Sequence, residues 1–173
     1  VNLCFWPMGV IFRHSGAFFL RRSFKGLKLY PVIFKQYIKT LVSEGYSIEF
    51  FIEGGRTRTG KLALPQLGFL NYLVDAIDEG YNTDLVFVPV AINYDRILEE
   101  QSYVAEVKGR EKTAESVSAM VESRKLLKRK YGRVYVTFNS PFTLNEIKES
   151  GVGSDKIALE VANNVIRRIN EVT

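Results

Sequence analysis

A chain of 173 residues, 46% apolar and 25% charged, is long enough to bury one sizeable core and too hydrophobic to remain disordered. Its single cysteine, Cys4, and single histidine, His14, exclude an internal disulfide framework and a Cys/His metal centre, and favour a reducing, cytoplasmic setting. The net charge of +5 is unevenly spread: Arg13, Arg21, Arg22, Lys25, Lys28, Lys35 and Lys39 all precede the first acidic residue, Glu44. Such a one-signed segment favours an anionic partner, whether phosphate, coenzyme, nucleic acid or lipid headgroup. For Lys35 and Lys39 a solvated helix face is the plainer expectation.

Asn2 to His14 is apolar and aromatic and reads as a short helix or an irregular segment. Its run from Leu3 to Phe12 is roughly half the length that spans a bilayer and contains Pro7 and Gly9, which leaves shallow membrane contact as the only membrane role it suits. No basic leader precedes it, so the chain is expected to be cut from something longer rather than to open on a signal peptide. Gly16 to Leu20 reads as a short buried strand that ends at Arg21-Arg22. From Tyr30 to Val42 the spacing is helical, with Gly45 as the stop. Tyr46 to Ile52 reads as a strand, followed by a polar loop that Pro65 closes. A second helix is predicted through Phe69, Leu70, Leu73, Val74 and Ile77, with its stop at Gly80.

Asp84 to Tyr94 is so continuously apolar that a central strand buried on both faces is expected, with Pro89 forcing a bulge or break. Ala114 to Tyr131 reads as a helix ending in a basic cluster. Arg133 to Phe138 reads as a strand stopped by Asn139-Ser140-Pro141, and Ser154 as the cap of a terminal helix. Strands alternating with helices predict an α/β fold, a mostly parallel central sheet flanked by helices. In such sheets ligands bind beyond the carboxyl ends of the strands, where Arg21-Arg22, Glu53 to Arg58 and Asn93 to Arg96 would then fall.

The loop Ile52-Glu53-Gly54-Gly55-Arg56-Thr57-Arg58-Thr59-Gly60-Lys61 is the richest in chemistry. Glycines admit an anion to backbone N–H groups, and arginines offer forked donors matched to phosphate oxygens. Gly55 to Lys61 fits the G-x-x-x-x-G-K pattern of a nucleotide-binding loop. Leu62, however, stands where a hydroxyl should hold magnesium, and Pro65 interrupts the helix that should follow. No H-E-x-x-H zinc motif and no G-x-S-x-G nucleophile elbow occurs, which leaves His14 a structural reading. Standing alone, the loop would be a surface turn with an Arg/Glu ion pair.

Three stretches taken together change that reading. Gly16-Ala-Phe-Phe-Leu-Arg21-Arg22, Phe51-Ile-Glu53-Gly54-Gly-Arg56-Thr57-Arg58 and Val88-Pro89-Val-Ala-Ile92-Asn-Tyr94 resemble, in order and separation, the second, third and fourth sequence blocks of the glycerolipid acyltransferases. Phe5-Trp6-Pro7 and Glu53 to Gly60 are most similar to the bacterial membrane-associated branches that use glycerol 3-phosphate or dihydroxyacetone phosphate. The resemblance is good from Asn2 to about Arg96, weaker from Tyr103 to Phe142, and carries nothing for the last helix.

The resemblance implies a partial acyltransferase domain over residues 1–173, acting at the cytoplasmic face of a membrane as a peripheral protein. It implies acyl transfer from acyl-CoA or acyl-carrier protein to the 1-hydroxyl of glycerol 3-phosphate, with no metal or cofactor and no nucleic acid. Arg21, Arg22, Arg56 and Arg58 would clamp the acceptor phosphate, with the Thr57 hydroxyl beside them. Glu53 would orient an arginine or the substrate hydroxyls, Gly54 would admit the substrate to the backbone, and Pro89 would shape the wall of the acyl site. The family's H-x-x-x-x-D block, which supplies the general base, does not occur in these residues. Five residues beyond His14 stands Phe19 rather than Asp, so the block is expected upstream of Val1. The alternatives are dihydroxyacetone phosphate as acceptor, or a non-catalytic module that binds anionic membrane through Phe5, Trp6 and the Arg13 to Lys28 basics.

Overall fold

The computed structural model describes residues 6, 8–21, 24, 26–55, 62–94 and 132–172. They divide into two units, the first including residues 1–28 and the second made of 29–97 with 132–173.

In the first unit Met8–His14 forms helix α1, as the apolar spacing allowed. Its end is closed by Ala17 N–H to the Phe12 carbonyl (2.8 Å) and by His14 Nδ1, which donates to the Val10 carbonyl at 2.8 Å. Gly16 to Leu20 is not a strand: it has no ladder among the described residues. The Arg13 guanidinium lies over the Phe19 ring, 5.8 Å from its centroid.

The second unit is built on helices α2 (Leu29–Ser43) and α3 (Leu67–Asp78). α2 buries Phe34, Ile38 and Val42, one residue per turn, against α3, which buries Leu70, Leu73, Val74 and Ile77. Phe34 meets Tyr72 edge-on at 5.6 Å and Phe69 at 6.2 Å, while Phe50 joins Phe69 at 4.7 Å. Both helices end where the glycines predicted. Gly45 N–H bonds to Val42 and Tyr46 N–H to Leu41 at the first, and Gly80 N–H to Ile77 and Tyr81 N–H to Ala76 at the second.

Lys39 corrects the expectation of a solvated face. It is buried, at 7% exposure, because Glu79 on the end of α3 pairs with its amine and the Tyr81 ring lies 5.2 Å from it. The apolar stem can then lie along the helix interface while the charge is met at its tip. Lys35, one turn away, reaches Asp75 at 2.5 Å and Glu79 at 3.3 Å, so these cations fasten α2 to α3.

Residues 46–51 have no assigned secondary structure, but from Ser47 onward burial alternates, with Ile48 and Phe50 half-buried and Ser47, Glu49 and Phe51 exposed, the period of a half-buried strand. They have no partner strand among the described residues. The paired strands are β1 (Val86–Phe87), β2 (Val90–Tyr94), β3 (Val134–Phe138) and β4 (Phe142–Thr143). β1 pairs with β4 and β2 with β3, both antiparallel, and no parallel pair occurs among the described residues. Alternation of helices and strands suggested crossovers; here instead the chain returns beside itself, and the described pairs form a ribbon rather than the expected parallel sheet.

The break at Pro89 is present, but burial on both faces is not. Phe87, Pro89 and Ala91 are buried, whereas Val86, Val88, Ile92 and Tyr94 on the other face are 41–64% exposed. A continuous apolar run of this length is consistent with a strand but does not by itself specify what covers each face.

The ribbon leads into helix α4 (Leu144–Glu149) through a capping box: Thr143 Oγ1 accepts Glu146 N–H and the Glu146 carboxylate accepts Thr143 N–H, each at 3.1 Å. Helix α5 (Ile157–Asn170) buries Ile157, Ala158, Val161 and Ala162 and packs on α3. Ser154 does not cap it, because Ser154–Lys156 winds as a 3-10 turn and Lys156 stands at the cap position without a side-chain bond. The predicted helix from Ala114 to Tyr131 and the polar cluster's Arg96 lie outside the described residues.

Candidate functional site

Glu53 and Gly54 stand at the mouth of the loop that follows residues 46–51. The loop's base is pinned by Gln66 N–H to the Ile52 carbonyl (2.8 Å) and by Gly54 N–H to the Phe51 carbonyl (3.0 Å). Ile52 is buried beneath them, so the backbone that carries Glu53 is anchored on an apolar side chain.

Glu53 is half-buried, and its Oε2 accepts Ala63 N–H at 2.8 Å, which ties the two limbs of the loop together. A carboxylate has about four acceptor positions, so holding one N–H leaves capacity to orient a guanidinium or a hydroxyl. Gly54 has φ +62°, and a Cβ there would lie 2.7 Å from Gln66 Cγ. Both the left-handed backbone and the closeness of Gln66 call for glycine at this position. Arg56, Thr57 and Arg58 lie outside the described residues.

The helix after the loop begins at Leu67, with Gln66 at its cap making no side-chain bond. Leu62 to Gln66 is irregular. The loop does not run directly into a helix N-terminus, which removes the feature that a nucleotide-binding loop uses to cradle phosphates.

Of the other predicted residues, Pro89 is buried in the interruption between β1 and β2, and its carbonyl accepts Asn139 N–H at 2.9 Å. Arg21 is exposed and belongs to the first unit, and Arg22 lies outside the described residues. Glu53 and Gly54 are therefore brought together in one loop, and Pro89 belongs to the ribbon of the same unit.

Three participants were not read from the sequence. Ala63 contributes a backbone N–H, which side-chain patterns do not reveal. Gln66 acts through the position of its side chain against Gly54. Asn139 read only as a turn residue, although its side-chain amide also offers two N–H donors to backbone carbonyls.

Residues 1–93 match the acyltransferase family, and the chain belongs to that family. Residues 103–173 match the glycerol-3-phosphate acyltransferase C-terminal region, so the likeness extends through the last helix, further than the motifs carried it. The chain is 41% identical to the glycerol-3-phosphate acyltransferase of Alteromonas mediterranea over 98% of its length and 23% of the relative's. It is 44% identical to that of Aeromonas hydrophila over 90% of its length and 19% of the relative's. With that of Glaesserella parasuis it shares 46% identity over 84% of its length and 18% of the relative's. The chain thus spans less than a quarter of each of these curated relatives.

Proposed function

We propose that these residues form the acceptor side of an enzyme that transfers an acyl group from acyl-CoA or acyl-carrier protein to the 1-hydroxyl of glycerol 3-phosphate. The observation that carries this reading is the pair of successive family matches, acyltransferase over 1–93 and then the glycerol-3-phosphate acyltransferase C-terminal region over 103–173. The first of these ranges holds the three sequence blocks up to Asn93, leaving only Tyr94 of the third outside it.

In this reading Arg22, Arg56 and Arg58, with Arg21 beside them, clamp the acceptor phosphate through forked, charge-assisted hydrogen bonds. Thr57 adds a hydroxyl donor. Glu53, already fixed by Ala63 N–H, turns an arginine or the glycerol hydroxyls into line, and Gly54 leaves room for the substrate at the backbone. The 1-hydroxyl oxygen then attacks the thioester carbonyl, the new C–O ester bond forms, and the C–S bond breaks to release the thiol. A His/Asp base supplied by a part of the protein outside these residues takes the hydroxyl proton. Clamping the phosphate makes the attack effectively intramolecular, which is the main contribution this side of the site can make.

The mostly parallel sheet is proposed for the complete domain, with residues 46–52 as one of its strands on the strength of their alternating burial. Peripheral attachment to the cytoplasmic face is proposed as well. Trp6 is 82% exposed, Val10 and Ile11 are exposed on α1, and Arg13 follows them, a pattern suited to shallow insertion beside anionic headgroups. Among the described residues no helix is long and apolar enough to cross a membrane.

The test is an acyl-transfer assay on the full-length protein with glycerol 3-phosphate and dihydroxyacetone phosphate in competition. Preferential formation of lysophosphatidate supports the reading; preferential acylation of dihydroxyacetone phosphate would move the protein to the sister activity. Sedimentation with anionic liposomes but no acyl transfer to either acceptor would leave only the membrane-binding module.

A further inference from the structure

The two limbs of the ribbon are interrupted opposite each other. Phe87 pairs with Phe142 on one side of the break, and Val90 pairs with Phe138 on the other. Val88 and Pro89 therefore face Asn139, Ser140 and Pro141, which places one extra residue on the β3–β4 limb and makes the interruption a β-bulge. Such a bulge bends its strand and sharpens the local twist. Proline on one limb and proline on the other also remove two ladder donors, so the bulge has to be held by something besides the ladder.

What holds it comes from α5. Asn139 N–H continues the ladder to the Pro89 carbonyl at 2.9 Å, and the Asn139 side chain donates from Nδ2 to the Arg168 carbonyl at 2.5 Å. Arg168 answers by donating from Nη1 to the Ser140 carbonyl at 2.7 Å. Its guanidinium lies 4.9 Å over the Phe142 ring, and Phe142 stacks on Phe87 at 5.4 Å. Arg168 Nε is buried and has no hydrogen-bond partner among the described residues. An unmet buried donor is destabilising, so a guanidinium is an expensive choice if only packing is needed.

We propose that Arg168 and Asn139 are positioning residues for the acyl site. Their reciprocal latch fixes the bulge, and the bulge fixes the direction in which Pro89, on the buried face of the strand, presents its wall to the acyl chain. The inference rests on the acyltransferase reading above, in which Pro89 shapes that wall. It makes the last helix, within the region that matches the glycerol-3-phosphate acyltransferase C-terminal region, a determinant of donor choice for the region that carries the sequence blocks.

The test uses the full-length protein with saturating glycerol 3-phosphate and two donors, palmitoyl-CoA and lauroyl-CoA. Arg168→Ala and Asn139→Ala are each expected to shift the ratio of kcat/KM between the donors in the same direction by about tenfold, the low end of what a methylene group is worth in an apolar pocket. KM for glycerol 3-phosphate should stay as in wild type, and the double variant should shift the ratio no further than either single one, since both remove the same latch. Arg168→Lys keeps the charge but not the fork and should recover only part of the ratio. A purely structural role would lower both donors in proportion, and an unmoved ratio overturns the proposal. If Arg168→Ala does not fold, Asn139→Ala, which removes a single side-chain bond to α5, decides alone. Wild-type protein that acylates glycerol 3-phosphate with neither these two donors nor the corresponding acyl-carrier-protein thioesters would instead overturn the acyltransferase reading, and this inference with it.

Discussion

The Glu53 loop and the Pro89 ribbon are held in opposite ways. Among the described residues the bonds that fix Glu53 and Gly54 stay within one short stretch of chain: Phe51 to Gly54, Ile52 to Gln66, Glu53 to Ala63. In the ribbon Pro89 is fixed by Asn139, and Asn139 by Arg168, residues brought together only by the fold. The loop carries carboxylate, hydroxyls and cations, whereas Val86 to Tyr94 carries no charged side chain. In the proposed reading, chemistry aimed at a phosphate is thus concentrated where the chain organises itself over short distances, and shape aimed at an apolar chain is set where distant segments meet.

If that division holds, loss of the Glu53 carboxylate should damage turnover, and changes in the α2–α3 helix pair only stability. The largest effect is expected from Glu53→Ala, which removes the acceptor of Ala63 N–H and the group that aligns the acceptor. In the full-length protein kcat should fall by about a hundredfold, the cost of a misplacement of roughly an ångström at a reacting pair. Steady-state kinetics that show wild-type turnover would break the comparison on its loop side.

Gly54→Ala comes next. The left-handed backbone at +62° costs a β-carbon roughly 1–2 kcal/mol, and contact with Gln66 Cγ at 2.7 Å adds to it. A thermal melt should show destabilisation that Gly54→Ala combined with Gln66→Ala relieves in part, because the second change removes the contact and leaves the backbone strain. Full recovery would mean that the backbone conformation is unimportant.

A scaffold change, Lys39→Met, keeps the buried stem and deletes the charge that Glu79 and Tyr81 meet. The melting temperature should fall further than in Lys35→Met, whose amine is more exposed, with KM for glycerol 3-phosphate unchanged in both. A changed KM would show that the helix pair reaches the site.

The smallest effect concerns pH. The hydrogen bond from Lys39, opposed by partial burial and aided by Lys35, holds the Glu79 carboxyl below its ordinary value of 4.5. A depressed folded-state pKa means stability present above 4.5 and lost as pH falls through the lower folded value. The hydrogen bond to Asp75, opposed by partial burial and aided by Glu79, raises Lys35 above 10.5, so its contribution is present below 10.5 and lost as pH rises through the higher folded value. Melts across pH should show the gap between wild type and Glu79→Gln closing on the acid side. A gap independent of pH would contradict the ion-pair account.

What could be read from the residues follows the same division. Helices α2 and α3, their stops at Gly45 and Gly80, and the strand ending before Asn139 were legible because periodicity and turn chemistry act within a few residues. The loop's motif was legible for the same reason. Lys39 was misread because its partner Glu79 lies on another helix, and the sequence alone does not show which helix faces are apposed. The pairing of Val90 with Phe138 and the bulge opposite Pro89 were hidden because strand register depends on partners far along the chain. Thr143-Leu-Asn-Glu146 is a different kind of miss, since its spacing alone signals a capping box.

The central claim is that the loop clamps the acceptor phosphate, and calorimetric titration of the full-length protein with glycerol 3-phosphate, wild type against Arg56→Ala, tests it most directly. The account predicts saturable heat in the wild type and an affinity weakened by about tenfold to a hundredfold in the variant, the worth of one charge-assisted hydrogen bond. Equal heats and equal affinities in the two proteins would contradict it.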